Sequence, residues 1–385
     1  MLQKLELLGV GGKLHAWIKS FLLNRTQRVM VNGHLSNEAH VKSGVPQGSV
    51  LGPLLFLILI SDIDRDIVDA FLSSFADDTR IGMSVMTEDD ISVLQSELDK
   101  VYAWAANNNM AFNNSKFELL RYGVNMELKE NTNYLSSDGS KIETKTHIKD
   151  LGVIMSSCGS FSEHINRTCK KARDMCSWIL RTFTSRSPLL MMTLWKSMVQ
   201  PILDYCSQLW CPIKLSQIKQ LEEVQKSFTR KIKLDQHLDY WERLKVLRLY
   251  SQERRRERYR IIYVWKIFEN LAPSIGHGEN GGMLKLHERN GRTMSLPEVN
   301  NKVPSAIKQM RDSSLTVHGA NLFNRLPKTI RNLTNCSVLE FKSKLDGFLS
   351  GIPDEPRVTG YTQNCCSISN SLVALVSNRD QNTTM

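Results

Sequence analysis

Two acidic side chains stand next to each other in FADDTRI, Phe75 to Ile81, within an otherwise apolar stretch. Neighbouring residues of a strand face opposite sides, so adjacent aspartates serve one purpose mainly at a tight turn. On such a turn Asp77 and Asp78 could bind a hard divalent cation such as Mg2+, which takes oxygens from one or two carboxylates plus substrate phosphates. The ordinary alternative is that aspartate favours turns and solvent, and for an isolated pair it is the commoner case. Phe71 and Phe75 in the flanks point to a buried hairpin that pushes its tip into a cleft.

A second candidate is SGVPQGSVLGPLLF, Ser43 to Phe56. Gly44, Gly48 and Gly52 with Pro46 and Pro53 make a stiff loop whose backbone a flat substrate could approach closely. Gln47 offers both donor and acceptor groups. Taken alone, the stretch reads equally well as a structural turn capped by Ser49. It is not a P-loop, because the G-x4-G-K-S/T pattern is absent.

Other residue types carry less. His164 and Cys169 have the spacing of the last two ligands of a zinc knuckle, but the two preceding cysteines are missing, so buried or free thiols are the ordinary reading. Eight cysteines in 385 residues do not make a disulfide scaffold, and reduced intracellular cysteine is the default. Fifty Lys and Arg against 39 Asp and Glu leave a net charge of +11, which favours polyanions such as nucleic acid. The N-terminus has Lys4 and Glu6 inside its apolar run, unlike a signal peptide. The most apolar stretch, Val50 to Ile60, is too short to cross a bilayer as a helix, so no membrane is expected.

The elements that must position these residues follow from periodicity. Leu14, Trp17, Ile18 and Phe21 predict a helix over 14–24. QRVMVNGHLSNEAHVKSG reads as a hairpin turning at Asn32-Gly33. The run 50–60 reads as a buried helix, and DAFLSSFADDTRIGMSV as two short strands meeting at the Asp pair. Thr87 opens a capping box with Asp90, ahead of a helix with Ile91, Leu94, Leu98, Val101 and Ala105 on one stripe. Strands return near Lys116 to Tyr122 and Ile148 to Met155. Beyond residue 160 the pattern is helical, with Leu221, Val224, Phe228 and Ile232 on one face. ERRRERYRIIYVWKIF has a basic first half, suited either to phosphates or to a solvated, ion-paired face. The tryptophans read as core.

Together, the GVPQGS loop and the FADD turn resemble the palm of reverse transcriptases, in particular those of non-LTR (LINE-type) retrotransposons. WIKSFLLNRTQRVMVNG, LDKVYAWAANNNMAFNNSKFELLRYG, KDLGVIMSS, PILDYCSQLWCP and NLFNRLPKTIRNLTNCSVLEFKSKLDGFL extend the resemblance along nearly the whole chain. It implies an α+β fold: a partial right-hand polymerase palm (antiparallel sheet plus helices) over 1–160, then a mostly helical thumb-like region over 161–270. A linker at 271–282, an element-specific C-terminal segment at 283–350 and a disordered tail at 351–385 complete the expected organisation.

The resemblance also implies a chemistry. An RNA-directed DNA polymerase extends a DNA primer on an RNA template with two Mg2+ ions. Asp77 would be a direct metal ligand and Asp78 a supporting one. Gly44, Pro46, Gln47 and Gly48 would border the nascent base pair, Lys116 would act near pyrophosphate, and Leu151 and Gly152 would hold the primer end. Arg254, Arg255 and Arg258 would contact the phosphates of the RNA/DNA duplex. Such proteins act in cytoplasmic ribonucleoprotein and at nuclear chromatin.

The family needs a further Asp on an earlier palm strand, upstream of the segment with which this chain begins, as are the fingers and any endonuclease. Glu6 and Glu38 are poor substitutes, and Asp62, Asp64 and Asp66 read as a structural turn. The expectation is a truncated polymerase, inactive alone. The alternatives are a non-catalytic nucleic-acid-binding remnant and a poorly folding product with an exposed sheet edge.

Overall fold

The computed structural model describes residues 1–41, 44–123, 132–212, 214–272, 286–287, 292–294, 310–355 and 371–373. The chain divides into two compact units, Met1–Leu119 with Val124–Thr144, and Leu120–Gly123 with Lys145–Met385. The expected palm segment, 1–160, thus has residues in both units. Val153, at its far side, packs in one cluster with Ile165 and Cys169 of the helical part.

In the first unit, helices α1 (Leu2–Leu7), α2 (Gly12–Leu22) and α3 (Leu51–Ile60) bury Leu5, Ile18 and Leu55 against one another. Strand β1 (Thr26–Gln27) pairs with β4 (Ala39–His40), and β2 (Met30–Val31) with β3 (His34–Leu35). Asn32 and Gly33 close the inner hairpin at φ 50° and 83°, the left-handed pair a tight two-residue turn requires. Strands β5 (Phe71–Phe75) and β6 (Asp78–Gly82) form the hairpin with the Asp pair. Helix α4 (Glu88–Asn107) starts at the Thr87–Asp90 capping box and turns Leu98, Val101 and Ala105 inward. Strands β7 (Glu118–Leu120) and β8 (Glu143–Lys145) pair last.

Two expectations for this unit change. The apolar helix 50–60 is not buried all round: Leu55 and Ile60 are inside, but Val50, Leu54 and Leu57 are exposed. The antiparallel sheet is represented, among the described residues, by separate two-stranded antiparallel pairs. The class is still α+β.

In the second unit, β9 (His147–Asp150) and β10 (Val153–Ser156) precede a helical array: α5 (Ser162–Thr182), α6 (Pro188–Leu194), α7 (Gln200–Asp204), α8 (Leu215–Thr229), α9 (Tyr240–Leu247) and α10 (Gln252–Phe268). A π-helical turn, Trp195–Val199, links α6 to α7. A strand pair, β11 (Leu286–His287) with β12 (Thr293–Met294), and helices α11 (Ala320–Asn324), α12 (Lys328–Arg331) and α13 (Val338–Ser350) follow. Trp195, Trp210, Leu221, Val224 and Phe228 centre one core, and Trp265 stacked on Phe341 at 4.3 Å centres another. The core reading holds for Trp195, Trp210 and Trp265. Trp17 and Trp178 are exposed.

Helix α10 joins the two cores; Arg254, Arg256 and Arg260 are interior, and Arg255 and Arg258 are partly exposed. Arg254 is fully buried and donates to the carbonyls of Ile352 (3.5 Å) and Pro353 (3.2 Å). Arg255 grips Asp204 through both Nε and Nη2 at 2.8–3.1 Å. Arg256 donates to Leu203 O at 3.0 Å and lies over the Trp210 ring at 4.7 Å. Arg258 grips Asp346 at 2.5 and 2.6 Å. Of the three arginines expected to contact phosphates, Arg254 is fully buried, while Arg255 and Arg258 are partly exposed and each pairs with a carboxylate of this unit. The helix is ion-paired, but mainly to Asp204 and Asp346 far along the chain rather than through its own Glu/Arg spacing, where Arg254 lies 3.8 Å from Glu257.

Most of the expected linker, from residue 273, and most of the tail, 356–370 and 374–385, lie outside the described residues. Within that tail Leu372 is buried in the second core, and its N–H donates to Glu257. His164 also sits in the core: its Nδ1 accepts from Ile154 N at 3.3 Å, and its ring meets Trp210 edge-on.

Because Asp204 is largely shielded from water beside Arg255, Asp204→Asn is expected to lower the stability of this unit by about 3 kcal/mol. The urea midpoint measures it. A loss well below about 1 kcal/mol would mean that the pair behaves as a surface ion pair.

Candidate functional site

The hairpin that carries the two aspartates turns in two residues. Phe75 pairs with Asp78, leaving Ala76 and Asp77 as the loop. Ala76 takes φ 53°, a left-handed conformation that costs a non-glycine residue about 1 kcal/mol. Such local strain is characteristic of functional turns. Period-two alternation puts Leu72, Ser74, Thr79 and Ile81 on one face, where Ser74 and Thr79 share a 3.0 Å hydrogen bond and Ile81 joins Leu98, Tyr134 and Ile142. The other face carries Phe71, Phe75, Asp78 and Arg80.

That second face is open. Phe71 is 50% and Phe75 66% exposed, and Asp77 and Asp78 are exposed too. The flanking aromatics thus do not bury the hairpin, in contrast to the sequence expectation. An open groove of about 520 Å³ lined by Asp69, Phe71, Gly82 and Asp90 lies at the hairpin's base. It is roughly 13 Å along the strand from Asp78, so it is not the carboxylates' own site.

The glycine loop is fastened at several points. Gly44 and Gly48 have φ 79° and 75°, conformations open to glycine. Arg25 donates to Gly44 O and Leu22 O. Ser49 Oγ donates to Pro46 O at 2.7 Å and accepts from Gly52 N at 3.0 Å, which is the Ser49 cap seen in the sequence. A Cβ on Gly52 would stand 2.7 Å from Pro46 O, so only glycine allows this closure. Gln47 is exposed and Pro46 half-buried. Lys116 is exposed at the end of a 3-10 turn, Asn114–Lys116, that Asn113 caps.

Asp62 is confirmed as a structural anchor. It accepts from Lys4 Nζ at 2.5 Å and Trp104 Nε1 at 2.9 Å, tying α1, α3 and α4 together. Burial alone would raise its pKa, but the hydrogen bonds from Lys4 and Trp104 and the charges of Lys4 and Arg65 hold it below the usual carboxylate range.

In the second unit, Leu151 and Gly152 are the two-residue turn between β9 and β10, with φ 42° and 87°. Tyr205 Oη donates to Leu151 O at 2.7 Å. Neither this contact nor the Ala76 strain was singled out in the sequence. A left-handed alanine leaves no compositional trace. Basic side chains that the sequence reading did not single out lie on α5: Arg167, Lys170, Lys171, Arg173 and Arg181 are exposed, as are Asp174 and Trp178. Their helical spacing was legible.

Residues 1–155 match the reverse transcriptase (RNA-dependent DNA polymerase) family, and they contain the GVPQGS loop, the Asp hairpin, Lys116 and the Leu151-Gly152 turn. The chain is thus similar to that family over this segment, 155 of its 385 residues. It is 29% identical over 236 residues to the RNA-directed DNA polymerase from mobile element jockey of Drosophila melanogaster, covering 57% of this chain and 25% of that protein. It is 28% identical over 226 residues to the probable RNA-directed DNA polymerase from transposon X-element of the same species, covering 56% and 24%. The chain spans about a quarter of the length of the curated relatives it matches.

Mg2+ is implied by the family, and the fit of the residues is partial. Asp77 and Asp78 are two oxygen-bearing side chains at an accessible tip. Among the described residues, however, no group of three or more His, Cys, Asp or Glu gathers to hold a metal. The pair alone does not supply a two-cation site. No helix among the described residues is long and apolar enough to cross a membrane.

The depressed Asp62 pKa has a signed consequence. Its stabilisation is present above the unfolded carboxylate pKa and is lost as pH falls through the lower folded value. Asp62→Asn is expected to be less stable at neutral pH and to lose less stability on acidification from pH 5 to pH 2. Parallel acid-unfolding curves for the two proteins would contradict this.

Proposed function

We propose that this chain is part of an RNA-directed DNA polymerase of a non-LTR mobile element, and that its Asp77–Asp78 hairpin belongs to the nucleotidyl-transfer site. The observation that supports this most is the pair of accessible carboxylates on a strained two-residue turn, within the segment matched by the family. In that reaction the primer's 3′ oxygen attacks the α-phosphorus of a deoxynucleoside triphosphate, and the bond to pyrophosphate breaks. Asp77 would be a metal ligand and Asp78 its support, with Mg2+ supplying charge stabilisation when bound. The Gly44–Gly48 loop would flank the new base pair, Lys116 would serve pyrophosphate, and Leu151-Gly152 would hold the primer terminus.

For the RNA/DNA duplex, the exposed face of α5 replaces α10 as the favoured phosphate contact. Arg167 pairs with Glu163 at 2.8 Å, while Lys170, Lys171 and Arg173 extend the basic surface, with exposed Asp174 between them and Trp178. A second reading, binding without catalysis, is favoured by the absence, among the described residues, of a third His, Cys, Asp or Glu gathered with the pair.

Purified chain on an RNA template with a DNA primer and Mg2+ is expected to give no extension, as is Asp77→Asn with Asp78→Asn. Extension that vanishes in the double variant would overturn the expected inactivity and establish the carboxylates as catalytic. For binding, the affinity for an RNA/DNA duplex should fall steeply with salt. Replacing Lys170, Lys171 and Arg173 by Glu should reduce the log–log slope by about 3. Salt-insensitive binding would count against the whole proposal.

A further inference from the structure

The Leu151-Gly152 turn has both residues left-handed, a geometry that suits Asn-Gly and penalises a leucine. A leucine there needs support from outside the hairpin. Tyr205 gives it: the phenol donates to Leu151 O at 2.7 Å, and the ring lies so close under Gly152 that an added Cβ would stand 3.2 Å from Cε1. Tyr205 is itself half-exposed, so core packing does not explain its placement.

What holds Tyr205 is a chain of contacts leading back to α10. Arg255 grips Asp204, the residue before it, and Arg256 donates to Leu203 O, two residues before it. Trp210 Nε1 donates to Tyr205 O at 2.8 Å. Arg255, which sequence reasoning assigned to phosphates, and Arg256 thus fix the C-terminal end of α7, from which Tyr205 reaches the turn.

We propose that Tyr205 is a positioning residue for the primer terminus: it holds the Leu151-Gly152 turn in the conformation that receives the primer end, and the Arg255–Asp204 pair sets its place. This rests on the reading of that turn as the primer-holding element.

The test uses the full chain and an RNA template annealed to a DNA primer with 2-aminopurine at its 3′ end, and a second duplex with the probe in its interior. Wild type is expected to change the fluorescence of the terminal probe. Tyr205→Phe keeps the ring on Gly152 and removes the hydroxyl. It is expected to weaken the terminal response by about fivefold while duplex affinity stays within about twofold and the thermal midpoint is unchanged. An undiminished terminal response in Tyr205→Phe overturns the proposal and leaves the primer reading intact. A variant that loses midpoint and affinity together assigns Tyr205 a structural role and also overturns it. Duplex binding by wild type without any terminal response overturns the primer reading of the turn, and this inference with it.

Discussion

A guanidinium removed from water costs several kcal/mol unless acceptors surround it, and α10 takes Arg254, Arg256 and Arg260 almost completely inside. That constraint shapes the second unit. Carbonyls of Leu203, Ile352 and Pro353 and the carboxylates of Asp204 and Asp346 converge on one helix from segments far apart in sequence. The helix works as an internal strut: apolar contacts in its C-terminal half fill the second core, and its polar half fastens α7 and the residues after α13. A planar, multi-donor cation suits this task better than lysine, since one side chain can serve two chain segments with fixed geometry.

The first unit is built differently. Its elements are short strand pairs and helices joined by small clusters, and it leaves apolar surface open on α3 and on the outer face of the Asp hairpin. The same face presents Phe71, Phe75, Asp78 and Arg80, so the carboxylates sit on an open surface of aromatic and basic neighbours rather than in a closed pocket. What is rigid is local: a two-residue turn, a serine-capped glycine loop, and an aspartate that gathers Lys4 and Trp104.

Legibility in the sequence followed the range of the interaction. The Asn32-Gly33 turn, the Thr87 capping box, the stripe of α4 and the Leu221–Phe228 stripe are set by neighbours within a few residues, and the structure has each of them. The Asp62 turn and the Ser49 cap were likewise visible. The fate of the α10 arginines was not, because Asp204 and Asp346 lie 51 and 88 residues away along the chain. Periodicity reports which residues share a helix face but not whether that face meets water. The same gap explains α3, whose uniformly apolar sequence implied burial on every side while its fold covers one side. At the candidate site, residue types pointed to the carboxylates and the glycine loop. The backbone strain at Ala76 and the support from Tyr205 required coordinates.

The central proposal is that nucleic acid would meet the outward face of α5 and the β9–β10 turn, while α10 works from within. Amide hydrogen exchange with and without a saturating RNA/DNA duplex tests it most directly. The expected result is new protection over residues 147–156 and 166–181, with residues 252–260 protected equally in both states. Duplex-dependent protection confined to 252–260, with none on α5, would contradict the account.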